Sequence, residues 1–159
     1  MLVGPAGAGK STFAATNFAP TEVVSTDAAR AMIGDDEGDQ SVNSQAFALA
    51  RFIAIRRLKL GRLTVIDATN VRAPHRAPFV ALAARFRRPA VAVVFDYPLE
   101  VCIARNLLRP RTVESAAIAE QWSHMPRPPE SLKREGFTAV HVFDPDHEPS
   151  FAEVVRAVG

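Results

Sequence analysis

Cysteine is almost missing from this chain: Cys102 stands alone among 159 residues, which excludes an internal disulfide. Its setting, "LEVCIARN", predicts a buried helix residue rather than a nucleophile. Long apolar runs are missing too. None reaches the roughly 20 residues that span a bilayer, and no basic-then-apolar leader precedes the first motif. A cytoplasmic protein with no membrane partner is the expectation. An excess of one charge is also lacking. The formal net charge is +2, so overall charge does not announce a nucleic-acid binder. Lysine is scarce: of 19 basic residues only Lys10, Lys59 and Lys133 are lysines. GC-rich coding, which favours Arg together with Ala, accounts for part of this bias. Bidentate phosphate recognition by guanidinium accounts for part as well. There is no internal repeat, low-complexity tract or long linker, so one domain over residues 1–159 is expected, with a single core.

What is present is an alternation. Short apolar, β-branched runs occur at "LV", "EVVST" (22–26), "LTVIDA" (63–68), "AVAVVFD" (90–96) and "AVHVFDP" (139–145). Such continuous runs suit strands covered on both faces. Between them lie helical spacings such as "SQAFALARFIAIRRLKL" and "PHRAPFVALAARF". The pattern predicts an α/β three-layer fold with a mostly parallel sheet of about five strands. The Pro-rich "HMPRPPESL" at 124–132 is expected to be a loop. Only Met1, Leu2 and Val3 precede Gly4, so the first strand is short. A trimmed start, a late start and loss from a larger protein all remain open.

The run Gly4-Pro5-Ala6-Gly7-Ala8-Gly9-Lys10-Ser11 satisfies G-x-x-x-x-G-K-[ST] in full. Glycines let backbone N–H groups converge on phosphate oxygens, and the helix that follows adds its positive dipole end. Gly4, Ala6, Gly7, Ala8, Gly9, Lys10, Ser11 and Thr12 are therefore the expected nucleotide-binding residues. Lys10 would reach the β and γ phosphates, and the Ser11 hydroxyl would ligate Mg²⁺. Switch proteins, motors, ATPases and small kinases share this loop; the chain length favours a small kinase.

The stretch "EVVSTDAAR" ends the second strand and opens a helix. Asp27 falls at a strand's carboxyl end, where open parallel sheets keep their ligand crevice, and Arg30 shares its helix face. A carboxylate there can take a proton from a hydroxyl, and a guanidinium can hold an acceptor phosphate. The pair also has a plainer explanation. Ser, Thr and Asp are common helix caps, and an arginine one turn on is commonly just solvated.

Further on come "DDEGDQ", "LTVIDATN" and "VCIARNLLRPR". The series "STDAAR", "DDEGDQ", "VCIARNLLR", in that order and spacing, resembles the kinase module of bacterial polynucleotide kinases, the 5′-end-healing enzymes of RNA repair. The resemblance runs from Gly4 to the "SLKREGFTAVHVF" that ends at residue 143. It implies a P-loop kinase fold with a helical lid over about 105–128, ATP or another NTP as donor, and Mg²⁺. It further implies Asp27 as the general base for a polynucleotide 5′-OH, and Arg30 as the grip on the neighbouring acceptor phosphate. Arg105 and Arg109 become the lid arginines on the donor phosphates. Gln40 becomes an acceptor contact, and Arg111 lies close enough to contribute. Taken without the resemblance, Arg105 and Arg109 are i,i+4 neighbours on an exposed helix face.

The remaining residues divide as follows. Asp67 is either a Walker-B-like carboxylate near Mg²⁺ or a cap of the turn that follows it. Asp35, Asp36, Glu37 and Asp39 read as a solvated loop, because a wall of carboxylates would repel a substrate backbone. His75, His124, His141 and His147 show no ligand spacing and read as structural. Trp122 reads as lid packing rather than a base-stacking platform. No ligase-type K-x-D-G and no metallophosphatase cluster occurs, so kinase activity alone is expected, with neighbour domains or a repair partner left to a parent protein.

Three readings follow. The first is a polynucleotide 5′-hydroxyl kinase acting on RNA or DNA, binding only one or two acceptor phosphates and so needing no broad basic surface. The second keeps the chemistry but has a small-molecule acceptor, a sugar or nucleotide-sugar. The third is a nucleotide-binding switch, against which stand the absent N-K-x-D motif and an idle Asp27.

Overall fold

The computed structural model describes residues 1–148; the expected domain runs on to 159, and residues 149–159 lie outside the described residues. Five strands form where the apolar runs predict them: β1 (Leu2–Val3), β2 (Val23–Ser25), β3 (Val65–Asp67), β4 (Val91–Phe95) and β5 (Ala139–Phe143). The three pairings between these strands are parallel, as the strand–helix alternation requires. Six α-helices connect them: α1 (Lys10–Asn17), α2 (Thr26–Gly34), α3 (Asn43–Lys59), α4 (Ala73–Arg85), α5 (Leu99–Leu107) and α6 (Ser115–Ser123).

The strands fall into a three-stranded set, β1-β4-β5, and a two-stranded set, β2-β3. The reason is the length of β1, whose two residues register with Val93 and Val94 of β4. Toward β3 it is joined only past that strand's end. The Gly4 N–H donates to Thr69 O (2.9 Å), and Asn70 Nδ2 donates to Leu2 O (2.8 Å).

Side chains alternate across the sheet into two cores. Leu2, Val65, Phe95 and Phe143 meet Phe13 of α1, Cys102 of α5 and Ile118 of α6. The Phe13 ring lies 5.5 Å from Phe95 and 5.4 Å from Phe143 between centroids, contacts that add to burial worth about 2–3 kcal/mol per ring. On the other face Val3, Ala92 and Val94 pack with Val80 of α4. Beside them Val24 and Ile66 pack with Ala50, Ala54, Phe79 and Leu82 of α3 and α4. Ala46, Ala50 and Ala54 recur one turn apart and are fully buried, so α3 lies close against its neighbours.

The Pro-rich stretch is not wholly a loop. A 3₁₀ segment spans Pro129–Glu135, started by a proline that has no N–H to satisfy and anchored by a fully buried Leu132. Among the described residues no helix is long and apolar enough to cross a membrane. The layout brings the ends of β1, β2 and β3 to one edge, and the candidate residues with them.

Candidate active site

The loop after β1 turns on two left-handed glycines, Gly7 (φ 78°) and Gly9 (φ 97°). A Cβ on Gly7 would sit 2.0 Å from the carbonyl oxygen of Cys102, so α5 backs directly onto the loop. Three of the loop's amides are used within the protein. Gly4 donates to Thr69 O, Ala8 to Pro5 O (3.3 Å), and Ala6 to Gln121 Oε1 of α6 (2.8 Å). The amides of Gly7, Gly9, Lys10, Ser11 and Thr12 have no partner among the described residues. They gather at the N-terminus of α1, where converging N–H groups make an anion cradle. Of the residues expected to bind nucleotide, these five supply donors, and Gly4, Ala6 and Ala8 supply shape.

Lys10 is buried, with Nζ donating to Pro5 O at 2.8 Å. Burial pulls its ammonium down from 10.5 to about 8, against the opposing pull of Asp67 and Asp27, while Arg109 adds to the lowering. Asp67, at the end of β3, is buried as well, and burial pushes its carboxyl above the usual range. Lys10 and a hydrogen bond with the Ser11 side chain draw it back, and Asp27 pushes it up further. Asp67 thus lies close to Ser11 of the loop. Ser11 and Asp67 offer the oxygen donors that suit Mg²⁺.

Asp27 is not the cap of its helix. Ser25 is: its side chain accepts from the Ala28 N–H at 3.2 Å. Asp27 is therefore left to other partners, which are Arg30 on its own helix and, through space, Lys10 and Asp67. Its side chain is 47% exposed, whereas that of Arg30 is 10% exposed. Arg30 is engaged on three sides. Nε donates to Glu37 O (2.7 Å), Nη1 to Asn43 Oδ1 (2.9 Å) and Nη2 to Asp27 Oδ1. It is not the solvated arginine of the plainer reading; it pins the base of the acidic loop to α3.

That loop is built rather than freely solvated. Asp36 accepts from the Gly38 N–H (2.8 Å), Asp39 accepts from the Ser41 N–H (2.9 Å), and Glu37 accepts from Arg111 Nη1 (3.0 Å). Among the described residues no group of acidic, His or Cys side chains could hold a metal by itself. Gln40 is exposed, and its amide turns back to Gly38 O (3.4 Å).

Arg105 and Arg109 do not share a helix face, because α5 stops at Leu107. The Arg105 guanidinium lies 4.4 Å above the Tyr97 ring and pairs with Glu148 (3.1 Å). Together with Gly9, Thr12, Thr16, Asn17 and Tyr97 it lines an open cleft of about 350 Å³. Arg109, exposed just beyond the end of α5, is close enough to act on Lys10 and Asp67. Trp122 donates from Nε1 to Tyr97 O (3.0 Å) and carries Arg127 over its ring (3.8 Å), which is the packing role. Cys102 is fully buried and its thiol is pushed up by burial. The histidines have local partners: His75 meets Phe47 (5.2 Å), His124 meets Glu120 O (2.7 Å) and His147 meets Asp144 (2.9 Å). His141 is an exposed strand residue.

Gln121, Tyr97 and Asn43 belong to the site's framework and carry no local signal. Gln121 is 115 positions from the amide that it receives.

The family model described as AAA domain matches residues 1–128. The fold resembles a solved structure from Chloroflexus aurantiacus described as a candidate kinase, with a TM-score of 0.65 and 15% identity. That match covers 90% of this chain and 82% of the other. No curated protein matches in sequence.

Proposed function

The chain belongs to the AAA domain family, and from that footing we propose that it is a phosphotransferase moving the γ-phosphate of ATP or another NTP to the 5′-hydroxyl of an RNA or DNA end. The observation that carries this reading is the position of Asp27: an uncapped, half-exposed carboxylate within the field of Lys10 and Asp67. A pure nucleotide switch has no use for a second carboxylate on that side.

The five free amides from Gly7 to Thr12 and the Lys10 ammonium bind the donor phosphates. The nucleoside extends into the cleft between α1 and Tyr97, with Arg105 at its margin. Arg109 balances charge spreading over the transferred group. Ser11 and Asp67 would hold Mg²⁺, which when bound screens the phosphate charge and fixes the donor's geometry. Asp27 accepts the hydroxyl proton as the oxygen forms its bond to the γ-phosphorus, and the β–γ bridging bond breaks to release the nucleoside diphosphate. Arg30 holds Asp27 in orientation, and its two remaining N–H groups are available to an acceptor phosphate. Segment 105–128 acts as the lid.

A second reading, a small-molecule acceptor, draws support from Arg30. With three of its donors used internally, its hold on an acceptor phosphate is weaker than the first reading needs. The deciding experiment is transfer of labelled γ-phosphate from ATP to a short 5′-OH oligonucleotide, with gluconate and UDP-sugars as competitors. Label on the oligonucleotide that is lost in Asp27→Ala supports the first reading. Label on a sugar moves the assignment to the second, and free phosphate alone removes both.

A further inference from the structure

The net charge of +2 conceals a strong polarity. Residues 40–95 carry ten basic side chains and one acidic, Asp67, while the other 103 residues carry nine basic and sixteen acidic. Two of the ten, Arg72 and Arg76, are paired with Glu120 and Glu135. Of the other eight, Arg51 lies at the middle of α3 and seven collect toward the C-terminal ends of α3 and α4. Among the described residues none of those eight pairs with a carboxylate.

The two helix ends form one pole. Each runs antiparallel to the strands, so both finish at the edge where β3 and β4 begin. A Cβ on Gly61 would lie 2.6 Å from Arg88 Nη2, so the turn after α3 touches the turn after α4. Arg56, Lys59 and Arg62 on one side and Arg85, Arg87 and Arg88 on the other are all exposed. The candidate active site is at the far end of α3. Asn43, its first residue, holds Arg30, and 17 residues at 1.5 Å each separate the two ends by about 25 Å.

We propose that this pole is a second binding surface, for the phosphate backbone of a polynucleotide. A helix C-terminus calls for one or two cations to offset its dipole, fewer than are gathered here. Five of the six exposed cations are arginines, whose planar fork matches phosphate oxygens. Exposed apolar groups are set among them. The Arg56 guanidinium lies 4.8 Å over the ring of Phe52, which is itself 54% exposed, and Leu60 and Leu63 are exposed beside it. Guanidinium on an open aromatic face is a platform on which bases stack. Among the described residues none of these six cations is neutralised by a carboxylate ion pair, so their charge is available to a polyanion.

The surface rests on the proposed kinase reading only in the second half of its test. The first half is fluorescence anisotropy of a 20-nucleotide, 5′-phosphorylated, single-stranded oligonucleotide against the whole chain and Arg56→Glu/Arg88→Glu. The expected result is binding at least tenfold weaker in the variant, with a log–log salt slope shallower by about 1.4, two phosphates at roughly 0.7 each. Arg56→Gln/Arg88→Gln, which adds no new charge, should lie between the two. Equal binding by wild type and variants, or no binding by wild type, overturns the proposal. So does displacement by polyglutamate as effective as by the oligonucleotide, which would assign the pole to acidic polypeptides. The second half compares trinucleotide and 20-nucleotide 5′-OH acceptors. The longer acceptor should have the lower KM, and the variant should erase that advantage while leaving kcat on the trinucleotide unchanged. A wild type that phosphorylates neither acceptor defeats the kinase reading and leaves the anisotropy result to decide the surface.

Discussion

Arg111 presses its guanidinium against Gly38 so closely that a Cβ there would lie 2.2 Å from Nη2 and 2.8 Å from Cζ. The same guanidinium donates to Glu37, so the turn after α5 is fastened across the site to the loop that Arg30 anchors. Because the obstructing atoms are the tip of an exposed side chain, Gly38→Ala should displace Arg111 at little cost to the fold. An exposed pair of this kind is worth at most about 1 kcal/mol, which limits the shift in the docked population to about fivefold. Tryptic cleavage after Arg111, followed by mass spectrometry, should accelerate by up to that factor while the melting temperature stays within about 2 °C. Unchanged cleavage would mean that the fastening is not populated.

Asp27→Asn keeps an oxygen for Arg30 but cannot take a proton. Transfer should fall by roughly 10²- to 10⁴-fold, the usual contribution of a positioned base. Nucleotide affinity, measured by titration calorimetry, should stay within about twofold. A variant that retains a tenth of its activity would remove Asp27 from the proton path.

The lowered pKa of Lys10 gives two opposite pH trends. Unfolded, the lysine keeps its proton up to about 10.5; folded without nucleotide, it releases it near 8. Between those values the unfolded chain binds more protons, so the stability of the free protein should rise as pH increases from about 8 toward 10.5. Phosphate binding needs the ammonium, so ATP affinity should weaken across the same interval, approaching tenfold per pH unit. Urea melts and ATP titrations at pH 7, 8 and 9 check both slopes, and Lys10→Met should flatten each of them.

Gly7→Ala meets backbone rather than a flexible tip. The added carbon would lie 2.0 Å from Cys102 O, at a φ of 78° that alanine rarely adopts. Destabilisation of at least about 2 kcal/mol is expected, together with loss of ATP binding. Thermal melts with and without nucleotide measure both effects. A stable Gly7→Ala protein that binds ATP would show that α5 does not back onto the loop.

The strands were readable because parallel strands bury both faces, and runs such as "AVAVVF" carry no polar interruption. The cradle was readable because its spacing is local. Asp67 is ambiguous in the sequence, since a carboxylate after a strand serves a cap or a metal equally well, and its proximity to Ser11 is set by packing between strands. The acidic loop is solvent-facing as its composition suggests, but its tie to Arg111 was not legible, for a related reason. Glu37 and Arg111 are 74 positions apart, and pairing over that separation is set by the packing of α5 against the loop, with no local pattern to reveal it. The basic pole escaped notice because a net charge adds distant parts of the chain together. Only the adjacency of Gly61 and Arg88 turns separate arginines into a surface.

Tyr97 and Trp122 are the chain's one tyrosine and one tryptophan, and the indole N–H is bonded to the Tyr97 carbonyl. The phenol lines the cleft under Arg105, and the indole stands on α6, next to the Gln121 that holds the phosphate loop. The protein therefore carries its own optical pair beside the cleft. Excitation of the phenol can pass to the indole, because the bond from Trp122 Nε1 to Tyr97 O keeps the two residues adjacent. Emission from a single unlabelled sample should then respond when a nucleotide enters the cleft that the phenol lines.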